Sequence, residues 1–154
     1  MELTLIQEKT FESARNEINK AGKDGQKAKI IFSSNDDELN RKILEKEKID
    51  ILLLNQAKRK DFQKQRNSGL NQVMAKLAKS TSAAIGINLD EIIEAPAKAK
   101  SEILARVKQN IKLCNKAKVK MKFIIQNPKN KRDAYDLRAL GLALGMPTWM
   151  VKEL

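Results

Sequence analysis

The side chains able to do chemistry are few. The 154-residue chain contains no histidine and a single cysteine, Cys114. Without histidine there is no imidazole base, no Ser-His-Asp or Cys-His nucleophile system and no His-ligated metal. One cysteine permits neither an all-thiolate zinc site nor a disulfide within the chain. Cys114 shares an arc of a helical pattern with Ile103, Val107 and Ile111, which reads as a buried structural thiol. Six glycines are present, and no GxxxxGK[ST] or GxGxxG follows any candidate strand, so no phosphate-cradling loop is expected. The remaining constellation is Asp90-Glu91, just past the fourth candidate strand. Active sites of parallel α/β proteins gather at that edge, and paired carboxylates can hold the magnesium of a nuclease. Two-metal sites, however, draw carboxylates from several strand ends. Here the other ends offer Ser33, Asn55 and Asn127, while Asp36 and Asp37 fall in a first helical turn, where the helix dipole favours acids. Asp90 and Glu91 are therefore expected to be solvated or capping acids. No catalytic residue, metal site or cofactor is expected in the chain.

Charge is the more informative signal. The net charge is +12, with 31 Lys and Arg against 19 acids. Residues 95–132 carry twelve Lys and Arg against one acid, Glu102, and residues 58–66 carry five against Asp61, whereas every other stretch is close to balanced. Charge confined to two segments points to a surface that meets polyanions. The alternative is a lysine-rich solvated coat of the kind heat-adapted proteins carry. Phe62, inside the 58–66 run, is the one aromatic interleaved with basic residues and could stack on a base.

The elements that must position these residues follow from periodicity. Apolar runs at Leu3–Ile6, Ala28–Ser33, Ile49–Leu54, Ala83–Leu89 and Met121–Gln126 read as strands covered on both faces. Between them lie amphipathic segments: one capped by Thr10 and ended by Gly22 and Gly25, and one opened by an Asn35–Glu38 capping box. A third starts at Asn67 or Ser68, a long fourth runs from Pro96 to about Lys116, and a fifth runs from Ala134 to Leu144 before Gly145 and Pro147. Alternating strands and helices imply βαβ units and a parallel sheet in one domain, 1–154. A complete eight-unit barrel needs ~200 residues or more, so the expected α/β fold is an incomplete or reduced (β/α) TIM-like barrel, with a five-stranded open doubly wound sheet as the alternative. On the long helix, Ile103, Leu104, Val107, Ile111 and Cys114 form the buried arc, and Lys98, Arg106, Lys108, Lys112 and Lys116 are expected outside it as a cationic ridge. A basic amphipathic helix could lie on a membrane, but this one has its apolar face committed to a sheet, which favours nucleic acid. No run approaches ~18 apolar residues and the N-terminus lacks a basic and apolar leader, so a cytoplasmic protein without membrane attachment is expected.

From Arg66 onward the residues resemble a known family. Arg66-Asn-Ser-Gly-Leu-Asn-Gln-Val-Met-Ala-Lys-Leu-Ala78 and Ala84-Ile-Gly-Ile-Asn-Leu89 are similar to the central stretch of archaeal ribonuclease P protein component 3. The closing run Lys131-Arg-Asp-Ala-Tyr-Asp-Leu-Arg-Ala-Leu-Gly-Leu-Ala-Leu-Gly-Met146 resembles that family's final motif, with Arg132, Asp136, Leu137, Leu140, Gly141, Gly145 and Met146 in the matching places. The resemblance spans about residues 49–150. It implies a barrel-related fold, shortened at the N-terminus, and a subunit of an endoribonuclease holoenzyme that removes 5′ leaders from precursor tRNA. In that setting the RNA is the catalyst and carries the magnesium, and the partners are the ribonuclease P RNA, precursor tRNA, protein component 2 and the other ribonuclease P proteins. The chain departs from the family at Asn67, where relatives carry Asp, at Gln72, where they carry His, and at Asp90-Glu91, where they tend to have Arg-Pro.

The residues expected to contact RNA are Lys58, Arg59, Lys60, Lys64, Arg66, Lys76, Lys98, Lys100, Lys108, Lys131, Arg132 and Arg138. Arg132 and Asp136 are expected to act together, on phosphate or as a loop clamp. Two other readings stay open at this point: a stand-alone metal-dependent nuclease or phosphoesterase using Asp90 and Glu91, and a basic scaffold protein of ribosome or chromatin.

Overall fold

A computed structural model of the chain describes residues 2–23 and 28–154. Its elements alternate in the expected order: β1 (Leu3–Gln7), α1 (Phe11–Lys23), β2 (Lys29–Ser33), α2 (Asp37–Lys46), β3 (Ile51–Leu54), α3 (Gln72–Thr81), β4 (Ala84–Asn88), α4 (Leu89–Glu94), α5 (Ala97–Ala117), β5 (Met121–Ile124), α6 (Ala134–Ala143) and α7 (Thr148–Lys152). All strand pairings are parallel, and the sheet order is β1-β2-β3-β4-β5.

That monotonic order separates the two folds the sequence allowed. A doubly wound sheet reverses its strand order and places helices on both faces. Here the strand residues Ile6, Phe32, Leu52, Leu54, Ile85, Ile87 and Met121 share one large core with the buried residues of α1 to α5 and α7. The alternate strand residues Ile31, Ile51, Leu53 and Ile124 form a second cluster, joined by Leu5 and Ala84, to which no helix contributes. The helices thus lie on one face, as in a (β/α) barrel, and the doubly wound alternative is set aside. Ile31 and Leu53 are 1% and 0% exposed without any helix over them. The sheet must therefore curl so that its strands cover one another's inner residues. Gly86 on β4 makes room for this: a Cβ there would lie 3.0 Å from Ile51 Cγ2 and 3.2 Å from Ile124 Cγ1. Burial and then the charge of Lys29 on β2 hold the Lys122 ammonium of β5 below its usual range, consistent with that curl. Among the described residues no ladder joins β5 back to β1, so the barrel stays open.

Local chemistry corrects several boundaries. Gly22 falls inside the last turn of α1, and Gly25, expected beside it, lies outside the described residues. The cap of α2 is Asp36 rather than Asn35: its Oδ1 accepts from the amides of Glu38 at 3.0 Å and Leu39 at 3.3 Å. Helix α3 begins not at Asn67 or Ser68 but at Gln72, capped by Asn71, whose Oδ1 accepts from Met74 N at 2.9 Å. The fourth strand ends at Asn88, because the Asn88 side chain accepts from Glu91 N and starts the short α4. Helix α6 stops where expected, and Gly145 takes a φ of +97°, a conformation that glycine adopts without steric cost. Beyond Pro147, α7 brings Met150 and Val151 into the core, and Trp149 Nε1 donates to Asn115 Oδ1 at 3.0 Å.

Candidate nucleic-acid interface

The seventeen residues from 55 to 71 join β3 to α3 at the C-terminal edge of the sheet. Loops longer than ~12–15 residues are uncommon in compact domains and are usually either functional or disordered. This one is pinned to α5 at several points. Arg106, expected on the solvated ridge of α5, is instead 2% exposed. Its Nε donates to Asp61 Oδ1 at 2.9 Å, its Nη1 to Gln56 O at 2.9 Å and its Nη2 to Arg59 O at 2.8 Å. The hydrogen bond from Arg106 is the main reason the Asp61 carboxyl is held below its usual range. Two further α5 residues grip the loop lower down. Gln109 Nε2 donates to Arg66 O at 2.9 Å and Ser68 Oγ at 3.1 Å, and Asn110 Nδ2 donates to Ser68 O at 3.2 Å. Ser68 is therefore an anchor point of the loop, which explains why no helix starts there.

Asp90 and Glu91 have the same task. Glu91 accepts from Gln56 N at 2.8 Å and Ala57 N at 3.3 Å. Burial raises its carboxyl above the usual range in spite of those amides. Asp90 accepts from the amides of Gln126 at 2.9 Å and Asn127 at 3.2 Å and from Asn130 Nδ2 at 2.8 Å. Both carboxylates, half-buried, accept backbone amides and so hold the loops after β3 and β5. Among the described residues no group of three or more His, Cys, Asp or Glu side chains could hold a metal ion. Cys114 is fully buried on α5 and its thiol is pushed up to about 12, so it is unreactive as a nucleophile.

Inward-facing polar residues at the C-terminal strand ends make a polar floor. Asn88 Nδ2 donates to Asn55 Oδ1 at 2.9 Å, and Asn55 Nδ2 to Ser33 Oγ at 3.2 Å. Above them an open cleft of about 600 Å³ is lined by Asn55, Asn88, Gln126, Lys58, Arg59 and Lys60 among others. The basic residues named from sequence divide accordingly. Lys58, Lys60, Lys64 and Arg66 are exposed on the long loop, and Lys131 and Arg132 are exposed between β5 and α6. Lys98 and Lys100 lie in the first turn of α5, with Lys100 Nζ donating to Ile93 O at 3.4 Å. Lys76, Lys108 and Arg138 are exposed on α3, α5 and α6, down the outer wall.

Arg59 differs from the others. Its side chain is 10% exposed, with Nη1 2.9 Å and Nη2 3.0 Å from the two Asp37 oxygens and Nε donating to Asn55 O at 2.6 Å. It ties the loop to α2 and is not a free cation. The pairing of Arg132 with Asp136 does not form: Arg132 Nη1 donates to Lys131 O, and Asp133 caps α6 by accepting from Asp136 N at 2.8 Å. The residues that sequence reasoning missed are Arg106, Gln109 and Asn110. Their i, i+3, i+4 spacing beside the apolar arc was the available signal, together with Asp61 as a lone acid in a basic run.

No protein-family profile matches the chain, and no curated protein sequence matches it. Among solved structures, a chain of a cryo-EM structure of archaeal ribonuclease P with mature tRNA is similar with a TM-score of 0.79 at 24% identity, over 96% of this chain and 62% of that one. A crystal structure of an uncharacterized protein is similar with a TM-score of 0.50 at 12% identity, over 88% of this chain and 33% of that one. The chain thus shares a fold with a component of an archaeal ribonuclease P structure and spans under two thirds of its length.

Proposed function

We propose that the chain is an RNA-binding protein subunit of a ribonuclease P ribonucleoprotein, supporting a catalytic RNA in 5′-leader removal from precursor tRNA. The fold likeness along 96% of the chain to a ribonuclease P chain is the observation that supports this most. The motifs at residues 66–78, 84–89 and 131–146 support it independently, since they resemble the family of ribonuclease P protein component 3. The rim adds a mechanism. Lys58, Lys60, Lys64, Arg66, Lys131 and Arg132 stand exposed at one edge of the sheet, on a loop pinned to α5 through Arg106 and on a segment beside Asn130, which is pinned to Asp90, and so can meet phosphates. In this reading the chain positions RNA, the RNA holds the magnesium, and protein component 2 and the other ribonuclease P proteins are its partners in the cytoplasm.

The isolated chain is expected to leave precursor tRNA intact in magnesium, and to raise the cleavage rate when added to the ribonuclease P RNA with its other proteins. Cleavage by the protein alone that disappears in the Asp90→Asn, Glu91→Gln variant would establish the stand-alone nuclease instead.

A further inference from the structure

Phe62 is 58% exposed, on the long loop between β3 and α3. Its exposure is not that of a slack loop. The preceding residue, Asp61, is fixed from three sides, by Arg106 Nε at 2.9 Å, Arg66 Nη1 at 3.1 Å and Asn67 N at 3.0 Å. The ring is therefore carried on a backbone that α5 holds in place. It borders a shallow hollow of about 250 Å³ with Arg41 of α2, Gln65 and Arg66. Two acids also line that hollow, Asp37, which is taken by Arg59, and Glu38. Lys60 and Lys64 lie two residues away on either side of the ring. The apolar residues of the hollow other than Phe62, Leu70 and Met74, are 7% and 4% exposed. The surface is thus one exposed aromatic bordered by Arg41 and Arg66, with Lys60 and Lys64 close in sequence, whereas a protein-docking patch offers a contiguous apolar area.

We propose that Phe62 is a stacking platform for an unpaired nucleobase of RNA, with Arg41, Lys60 and Lys64 meeting the phosphates that flank it. Any base has a π-face that an aromatic ring can cover, but within a duplex that face is already stacked. The site therefore selects a single-stranded or bulged segment without reading its sequence. This rests on the RNA-binding role proposed above and adds to it the kind of RNA that the loop takes.

Binding of a short single-stranded oligoribonucleotide and of a duplex of equal length, each across a salt series, tests the proposal. Phe62→Ala is expected to weaken single-strand binding about 10-fold, leaving the salt slope and the duplex affinity unchanged. Phe62→Tyr and Phe62→Trp retain the single-strand affinity, Phe62→Leu behaves like Phe62→Ala, and the loss vanishes on a strand whose bases are replaced by abasic sites. If Phe62→Ala binds the single strand as well as wild type while both show salt-dependent RNA binding, the platform is wrong and the RNA-binding role stands. Full affinity in Phe62→Leu overturns the platform too, in favour of an apolar contact of the kind a protein partner makes. Wild type that binds neither RNA overturns the RNA-binding role and the platform with it.

Discussion

Arg106→Ala is expected to lower the unfolding free energy by about 3 kcal/mol, and the melting temperature by roughly 6–12 °C. The Arg106 side chain is 3% exposed, and its guanidinium answers two loop carbonyls and one carboxylate. Removing it leaves Gln56 O, which is buried, and Arg59 O, which is part-buried, without this donor, and an unsatisfied buried group costs about 1–3 kcal/mol. The ion pair itself adds little to the figure, because Asp61 is 27% exposed and solvent screens it. Arg106→Lys recovers little, since an ammonium cannot reproduce a planar fork with donors at fixed angles. Lys108→Ala, two residues along the same helix and exposed, should change stability by less than about 0.5 kcal/mol. Urea denaturation of the three variants checks this. Equal, small losses from Arg106→Ala and Lys108→Ala would mean that the loop does not depend on α5.

The second large effect concerns salt. If five or six rim cations meet phosphates, log K for RNA should fall with log salt with a slope of about −4 to −5, at ~0.7–0.9 per phosphate. Lys58, Lys60 and Lys64 changed together to alanine should reduce that slope by roughly 1 for each lost contact and weaken specific and non-specific RNA alike. These three are chosen because they are exposed, whereas Arg59 braces the loop against Asp37 and Arg66 pairs with Asp61. Removing either arginine would mix loss of contact with loss of loop geometry. Lys20, Lys23 and Lys46, exposed on α1 and α2 in charge-balanced stretches, should leave the slope unchanged when replaced. Equal effects from the two sets would mean that the positive charge is a solubilising coat.

The strands were legible because Ile, Leu and Phe run nearly unbroken through Ala28–Ser33 and Ile49–Leu54, and both faces of those strands are in fact covered. The second cover was harder to foresee. Helices shield one face, but the inner residues Ile31 and Leu53 are hidden by the curl of the sheet, a property of the whole ladder and of no single segment. Helix α4 is not legible in the sequence, because Leu89-Asp-Glu-Ile-Ile-Glu94, which begins at the last residue of the expected fourth strand, is too short to display a period; the cue was Asn88 three residues before Glu91. Arg106 was misplaced for a different reason. Helical periodicity assigns a charged residue beside an apolar arc to solvent, and only the tertiary arrival of Gln56 O, Arg59 O and Asp61 makes burial favourable. The basic segments themselves were legible from composition. Which of their members are free cations and which are braces depends on partners far away in sequence.

As the proposed ribonuclease P subunit, this chain works on ribonuclease P RNA. Sequencing the RNA that co-purifies with the tagged chain from its own cells tests it most directly. Enrichment of the ribonuclease P RNA and of precursor tRNA with their 5′ leaders is expected, lost when Lys58, Lys60 and Lys64 are replaced. Enrichment of ribosomal RNA, or of no RNA above background, would contradict it.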